Sequence, residues 1–272
     1  MREISEAVGA AALRVIDGEN DPPTCACGRP AASTIIGGRV QFASQCQACI
    51  EAEIAAQEAS EAAERRSRYE EAWCEETGIR PLFREASFDT YAPGTNVKVL
   101  ERCRTYAEGF AVGETSSGLF LMGPIGTGKT HLAAAILRHL HLDWPATECR
   151  ENPASMLVNV VELVGQIIAG WKRGEGETRL YRHAKETQLL VLDDLGLETD
   201  AEWAARQLYE LVNYRYECRL PLIVTTNAAI NDLTERLGAR TISRLTDMCQ
   251  TLKLTGKDHR VQRRVRERKD LA

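Results

Sequence analysis

The chain has 272 residues, with 34 Lys and Arg against 39 Asp and Glu, a formal net charge of −5, and 44% apolar residues. That length admits one domain or two and that apolar share suffices for a globular core, while the negative total excludes any global attraction to nucleic acid, so such contact needs a local patch. No apolar run reaches the length of a membrane span, and Arg2, Glu3, Glu6, Arg14, Asp17 and Glu19 interrupt any export signal, so the expectation is a cytoplasmic protein with no membrane partner.

In chain order, the first informative cluster is Cys25 and Cys27, followed after 18 intervening residues by Cys46 and Cys49. Two close pairs on separate turns can converge four thiolates on a tetrahedral Zn²⁺. Gly28 after one knuckle and Gly37-Gly38 between the pairs suit such a ribbon. The alternative, four ordinary buried cysteines, sits poorly in so short and polar a segment. With no histidine or open position, the zinc is expected to be structural. Residues 1–49 therefore read as a small zinc-ribbon-like module. Cys74, Cys103, Cys149, Cys218 and Cys249 are scattered and read as packing residues.

Residues 50–77 shift to Ala, Glu and Arg, with Glu61/Arg65 and Glu64/Arg68 at i,i+4 spacing and Ile50, Ile54, Tyr69 and Trp73 as sparse anchors. This predicts a solvated connecting helix, stopped by Gly78 and Pro81. An irregular lead-in over 82–93 and a helix over 96–112 precede the core, and residues 78–272 form the second domain.

A buried strand, Gly118 to Met122, runs into Gly123, Pro124, Ile125, Gly126, Thr127, Gly128, Lys129 and Thr130. The string fits the Walker A pattern without a mismatch. Its glycines let successive N–H groups face phosphate oxygens, the Lys129 ammonium reaches the β- and γ-phosphates, and the Thr130 hydroxyl can ligate Mg²⁺. A helix from Lys129 to Leu142 follows, which puts the loop at a helix N-terminus that favours an anion. These residues imply a nucleoside triphosphate with Mg²⁺.

A strand over 156–161 and a helix over 162–172 come next. Leu189 to Asp194 is an apolar strand ending in two carboxylates, the Walker B pattern: Asp193 for Mg²⁺, Asp194 for orienting and deprotonating the attacking water. A helix over 202–217 and a strand, Leu222 to Thr226, follow. Asn227 then stands at the sheet edge, where it can bond the γ-phosphate or the attacking water, or simply cap the next turn. Residues 251–254 read as a fifth strand. Strands alternating with helices predict an α/β fold with a parallel five-stranded sheet covered on both faces.

These residues resemble the AAA+ ATPases of the bacterial helicase-loader family, the DnaC/DnaI type. The resemblance rests on GPIGTGKTHLAAAI, LLVLDDLG, LYELVNYRYE, PLIVTTN and GARTISRL followed by TGKDHR, and covers Gly78 to Arg260. It implies a P-loop ATPase core, with Asn227 as the sensor-1 residue, Arg244 as an arginine finger acting on a neighbouring subunit, Arg240 as its support and Arg260 as a sensor-2 candidate. It also implies single-stranded DNA contact by the helix over 162–173, where Trp171, Lys172 and Arg173 supply stacking and charge. A Cys-rich N-terminal module occurs in the family, where that part contacts the replicative hexameric helicase. An ATP-dependent homo-oligomer is implied as well.

Two departures bear on mechanism. Asp194 stands where most AAA+ proteins have Glu, which predicts slow hydrolysis. After Leu254 only 18 residues remain, fewer than a full helical lid needs. The basic tail Arg260, Arg263, Arg264, Arg266, Arg268 and Lys269 reads either as a nucleic-acid contact or as a solvated terminus. The expected function is an ATP-controlled helicase loader in DNA replication. The alternatives are a transposition-helper ATPase of the IstB type, which shares the core but generally lacks the zinc-like module, and a zinc-dependent adaptor with a structural nucleotide site.

Overall fold

The computed structural model describes residues 23–36, 39–111, 117–143, 155–196 and 201–259. The chain divides into two units, Met1–Glu71 and Ala72–Ala272.

In the first unit, β1 (Ser33–Ile36) and β2 (Arg39–Phe42) pair antiparallel, Ser33 opposite Phe42. Backbone bonds from Ala43 to Ala32 and from Ala32 to Gln45 extend the ladder toward the second cysteine pair. Helix α1 (Gln47–Thr77) follows, and the boundary between the units falls within it. Between Glu51 and Tyr69 its side chains are exposed apart from the half-buried Ile54. Such a helix has no core to lean on and is supported by i,i+4 pairs: Gln57–Glu61, Arg65–Glu61, Arg68–Glu64 and Arg66–Glu70. Tyr69 is exposed rather than an anchor. The last turn differs. Cys74 is buried, Trp73 stacks on His141 with centroids 3.9 Å apart, and the Thr77 hydroxyl donates to the Trp73 carbonyl.

The second unit is built on five parallel strands in the order β4-β5-β6-β3-β7. These are β3 (Gly118–Met122), β4 (Ser155–Asn159), β5 (Leu189–Asp193), β6 (Leu222–Thr226) and β7 (Cys249–Lys253). The helices are α2 (Val97–Ala111), α3 (Lys129–Asp143), α4 (Val160–Lys172), α5 (Arg179–Glu186), α6 (Ala201–Glu217), α7 (Ile230–Leu237) and α8 (Ala239–Met248).

Strand side chains alternate between two cores. Phe120, Val158, Leu190, Leu192 and Val224 join Leu163, Leu208, Leu233 and Leu245 from α4, α6, α7 and α8. Leu119, Leu121, Leu157, Val191 and Ile223 join Cys103, Tyr106, Leu132 and Ile136 from α2 and α3. A sheet covered on both faces needs continuous apolar runs, and β3, β5 and β6 are buried at every position. This is the parallel α/β arrangement expected from the alternating pattern.

The structure departs from the sequence-based expectation at several points, and β7 begins at Cys249 rather than at 251. Strand β4 stops at Asn159 because the Asn159 Oδ1 accepts the Val161 and Glu162 N–H groups and caps α4. Helix α5 was not anticipated; it is polar, starts at Thr178, whose hydroxyl accepts the Tyr181 N–H, and buries only Tyr181 and Ala184. Cys218 is exposed just past α6 rather than packed. Gly37-Gly38 and Cys149 lie outside the described residues.

Candidate functional site

Residues 123–130 turn from the C-terminal end of β3 into α3, placing the loop against the free N–H groups of a helix start. Gly126 (φ 75) and Gly128 (φ 88) occupy backbone conformations that L side chains rarely adopt. Neighbours also leave no room: a Cβ on Gly128 would lie 2.5 Å from the Tyr91 ring, and one on Gly126 would overlap the Asp258 carboxylate. The Tyr91 hydroxyl donates to the Thr127 carbonyl at 3.0 Å. Asn96 fastens this support to the end of β7, its Nδ2 donating to the Thr255 carbonyl and its Oδ1 accepting the Thr255 N–H, each at 2.8 Å. His259 N–H donates to the Gly126 carbonyl at 3.0 Å.

Lys129 is buried, and its ammonium donates to the Gly123 and Pro124 carbonyls at 2.8 Å, so the charge lies inside the loop. Thr127 closes the turn by donating to the Pro124 carbonyl at 2.8 Å. His131, in the first turn of α3, bonds the Ser87 carbonyl at 2.9 Å, and burial lowers its basicity below the usual histidine range.

The second half of the site lies at the ends of β5 and β6. The Asp193 Oδ1 accepts hydroxyls from Thr225 at 2.7 Å and Thr130 at 2.9 Å. Burial raises the Asp193 carboxyl above its usual range, with Asp194 adding repulsion, while the Thr225 and Thr130 hydroxyls and the Lys129 charge oppose the rise. A hydroxyl and a carboxylate joined in this way form an oxygen donor set of the kind Mg²⁺ takes. Asp194 leaves the strand with φ 59, a left-handed conformation that Asp tolerates better than most residues, and its N–H donates to the Thr225 hydroxyl at 3.0 Å.

Asn227 is half-buried, directly after β6. The capping role open to it is taken by Thr226, whose hydroxyl accepts the Ala228 N–H at 3.0 Å and donates to the Leu195 carbonyl at 2.7 Å. Arg236 on α7 donates to the Gly196 carbonyl, tying that helix to the same turn. Thr225, Thr226, Tyr91 and Asn96 were not anticipated as site residues. The Thr-Thr pair before Asn227 carried a signal, since hydroxyls at a strand end beside Asp193 must bond something; Tyr91 and Asn96 carried none.

Arg244 lies half-buried on α8 against Tyr209 and Tyr216, and Arg240 is exposed. Arg260 and the basic tail lie outside the described residues. At the end of α4, Trp171 is 61% exposed and meets Trp203 edge to face. Lys172 is exposed, whereas Arg173 is bound through two bonds to Glu175 at 2.6 and 2.7 Å, which offsets its charge.

In the first unit the four predicted cysteine sulfurs all lie within 4.8 Å of one another, with Cys25–Cys49 at 3.7 Å and Cys27–Cys46 at 3.5 Å. A tetrahedron with Zn–S bonds of about 2.3 Å has sulfur–sulfur edges of about 3.8 Å, so the four fit zinc. The backbone N–H of Cys27, then that of Cys46, lowers the Cys25 thiol to about 6, and the Cys49 N–H lowers Cys46. The neighbouring thiols Cys27, Cys46 and Cys25 push Cys49 up to about 12. Sulfurs this close resist ionising together unless a cation joins them.

Residues 39–267 match the family described as IstB-like ATP binding protein. The replicative helicase loader DnaC of Escherichia coli K12 is 28% identical over 172 residues, covering 62% of this chain and 66% of its own length. The DnaC loader of Buchnera aphidicola from Acyrthosiphon pisum is 27% identical over a similar span. The chain thus spans just under two thirds of the curated relatives it matches first. Among solved structures, the DnaC helicase loader superposes with a TM-score of 0.55 at 26% identity, covering 65% of this chain and all of that one. Nucleotide-analogue-bound DnaA from Aquifex aeolicus superposes with a TM-score of 0.54 at 17% identity, covering 70% of this chain and 56% of that one, a likeness of fold. With its phosphate loop, carboxylate pair and sheet order in place, the chain belongs to the family of IstB-like ATP-binding proteins, with an AAA+ core of the DnaC/DnaI type.

Proposed function

We propose that this protein is an ATP-controlled loader of a replicative hexameric helicase, working in the cytoplasm as an ATP-dependent homo-oligomer. One observation carries the reading: Thr130, Asp193 and Thr225 meet beside the phosphate loop in a fold shared with a helicase loader.

Residues 123–130 would hold the triphosphate, and Thr130 and Asp193 would hold Mg²⁺, which when bound neutralises phosphate charge. Asp194 is the group to take a proton from the attacking water, and the Asn227 amide would orient that water. Arg244 would stabilise transition-state charge on a neighbouring copy's nucleotide. Cys25, Cys27, Cys46 and Cys49 would hold a structural Zn²⁺. We assign the zinc module to residues 1–49, the connecting helix to 50–77 and the ATPase domain to 78–272. Helicase contact is assigned to the part before Gly78, and single-stranded DNA to Trp171, Lys172 and Arg173. Among the described residues no helix is long and apolar enough to cross a membrane.

The test is capture of the host's replicative helicase by the purified chain, with and without ATP. Capture that changes with ATP supports the loader; a transposase partner with preference for duplex DNA supports the transposition-helper reading. Nucleotide binding with no turnover under any condition would leave the adaptor.

A further inference from the structure

Charged arginines in this fold are mostly spent on oxygen. Arg215 gives its N–H groups to five backbone carbonyls, and Arg80, Arg173 and Arg182 pair with carboxylates. Arg244 is held differently. Its guanidinium carbon lies 4.9 Å from the Tyr209 ring centre and 5.7 Å from that of Tyr216. Its Nε is buried without a hydrogen-bond partner. Among the described residues the guanidinium has neither a hydrogen bond nor an ion pair.

The two tyrosines stand seven residues apart on α6, about two turns, so both rings rise from one face. A carboxylate is also at hand. Asp247 follows Arg244 on α8 at i,i+3, a spacing at which arginine and aspartate ordinarily pair. Its Oδ2 instead accepts the Tyr216 hydroxyl at 2.9 Å. That bond orients Tyr216 and occupies the acid that would otherwise compete for Arg244. Aromatic faces attract a guanidinium through its charge while leaving its N–H donors unused. The side chain is thereby placed, and its two terminal Nη groups, unlike the buried Nε, stay available to an anion offered from outside the chain.

We propose that Tyr209 and Tyr216 are positioning residues that hold Arg244 ready for the triphosphate bound by a second copy of this chain, with Tyr216 also keeping Asp247 away from it. The inference rests on reading Arg244 as an arginine finger. Fixing the side chain before assembly reduces the rotamer freedom lost when it engages.

The experiment measures ATP turnover of the full chain against protein concentration, ATP affinity, and self-association in a non-hydrolysable ATP analogue. Tyr209→Leu is expected to lower turnover roughly 3- to 30-fold, corresponding to an aromatic–cation contact of about 0.5–2 kcal/mol. ATP affinity should hold, and analogue-driven self-association should weaken as it does in Arg244→Ala. Tyr209→Phe, which keeps the ring, should restore turnover. Tyr216→Phe frees Asp247 and should lower turnover, with Asp247→Asn on top restoring it. Mixing Tyr209→Leu with Lys129→Ala subunits, which carry an intact Arg244, should recover activity in trans. If Tyr209→Leu lowers the melting temperature, the Phe variants and the mixing arm carry the decision. Full turnover in Tyr209→Leu and Tyr216→Phe, or no recovery on mixing, alongside an inactive Arg244→Ala overturns this inference alone. Full turnover in Arg244→Ala, or none in the unsubstituted chain, overturns the arginine-finger reading and the inference with it.

Discussion

At the scale of single residues, the site depends on where two charges are held. The Lys129 ammonium lies on the Gly123 and Pro124 carbonyls, inside the loop that would take phosphates. Lys129→Ala should abolish nucleotide binding in a titration with a fluorescent ATP analogue, while the fold, whose two cores do not include the side chain, stays intact. Unchanged affinity would sink the phosphate-loop assignment. Thr225 joins the two acids: its hydroxyl donates to Asp193 and accepts from the Asp194 N–H. Thr225→Val preserves shape but removes both bonds, leaving a buried carboxylate with one hydroxyl partner fewer. Losses of this kind cost about 1–3 kcal/mol, which urea unfolding would register, and the Mg²⁺-dependent part of ATP affinity should fall with it. What was readable in advance at this scale was what lies close together in the chain. The phosphate loop is spelled by consecutive residues, and Asp193 and Asp194 by one strand end. Tyr91 reaches the loop from a segment with neither period nor motif, and Asn96 ties it to Thr255, so their roles exist only once the lead-in meets the end of β7.

At the scale of elements, β3, β5 and β6 were legible because burial on both faces forces unbroken apolar runs, which few other structures tolerate in five residues. Helix α5 was not, because its charged exterior and two buried residues leave too narrow an apolar stripe to separate it from a loop. The four-cysteine cluster was legible from spacing, and its sulfurs converge without help from a large core. Elemental analysis should find one zinc per chain, and chelation or Cys25→Ser with Cys46→Ser should unfold the 24–46 region while the ATPase core melts as before. A metal-free protein with those variants folding normally would remove the zinc. At the end of α4, the exposed Trp171 is available to stack on a base. Trp171→Ala should weaken single-stranded DNA binding by about 1–3 kcal/mol. Because it also touches Trp203, a lowered melting temperature with unchanged DNA affinity would instead make it a packing residue.

At the scale of the whole molecule, the two proposed tasks should separate along α1, and the structure says where to cut. The solvated stretch up to Glu71 belongs to the first unit, whereas Trp73 on His141 and the buried Cys74 belong to the packing of the second. A core beginning at Gly78 discards those contacts, and losing a packed tryptophan and its neighbours costs about 3–5 kcal/mol. A core beginning at Ala72 keeps them and should unfold at correspondingly higher urea. If the loader reading is right, residues 1–71 with zinc should bind the replicative helicase without nucleotide. The core from Ala72 should bind ATP and single-stranded DNA yet fail to recruit the helicase. Each half is thus the other's control, since a misfolded core would lose ATP binding too. Helicase affinity found only in the core would move the contact surface onto the ATPase domain, and a core that prefers duplex DNA and a transposase would replace the loader reading with the transposition-helper one.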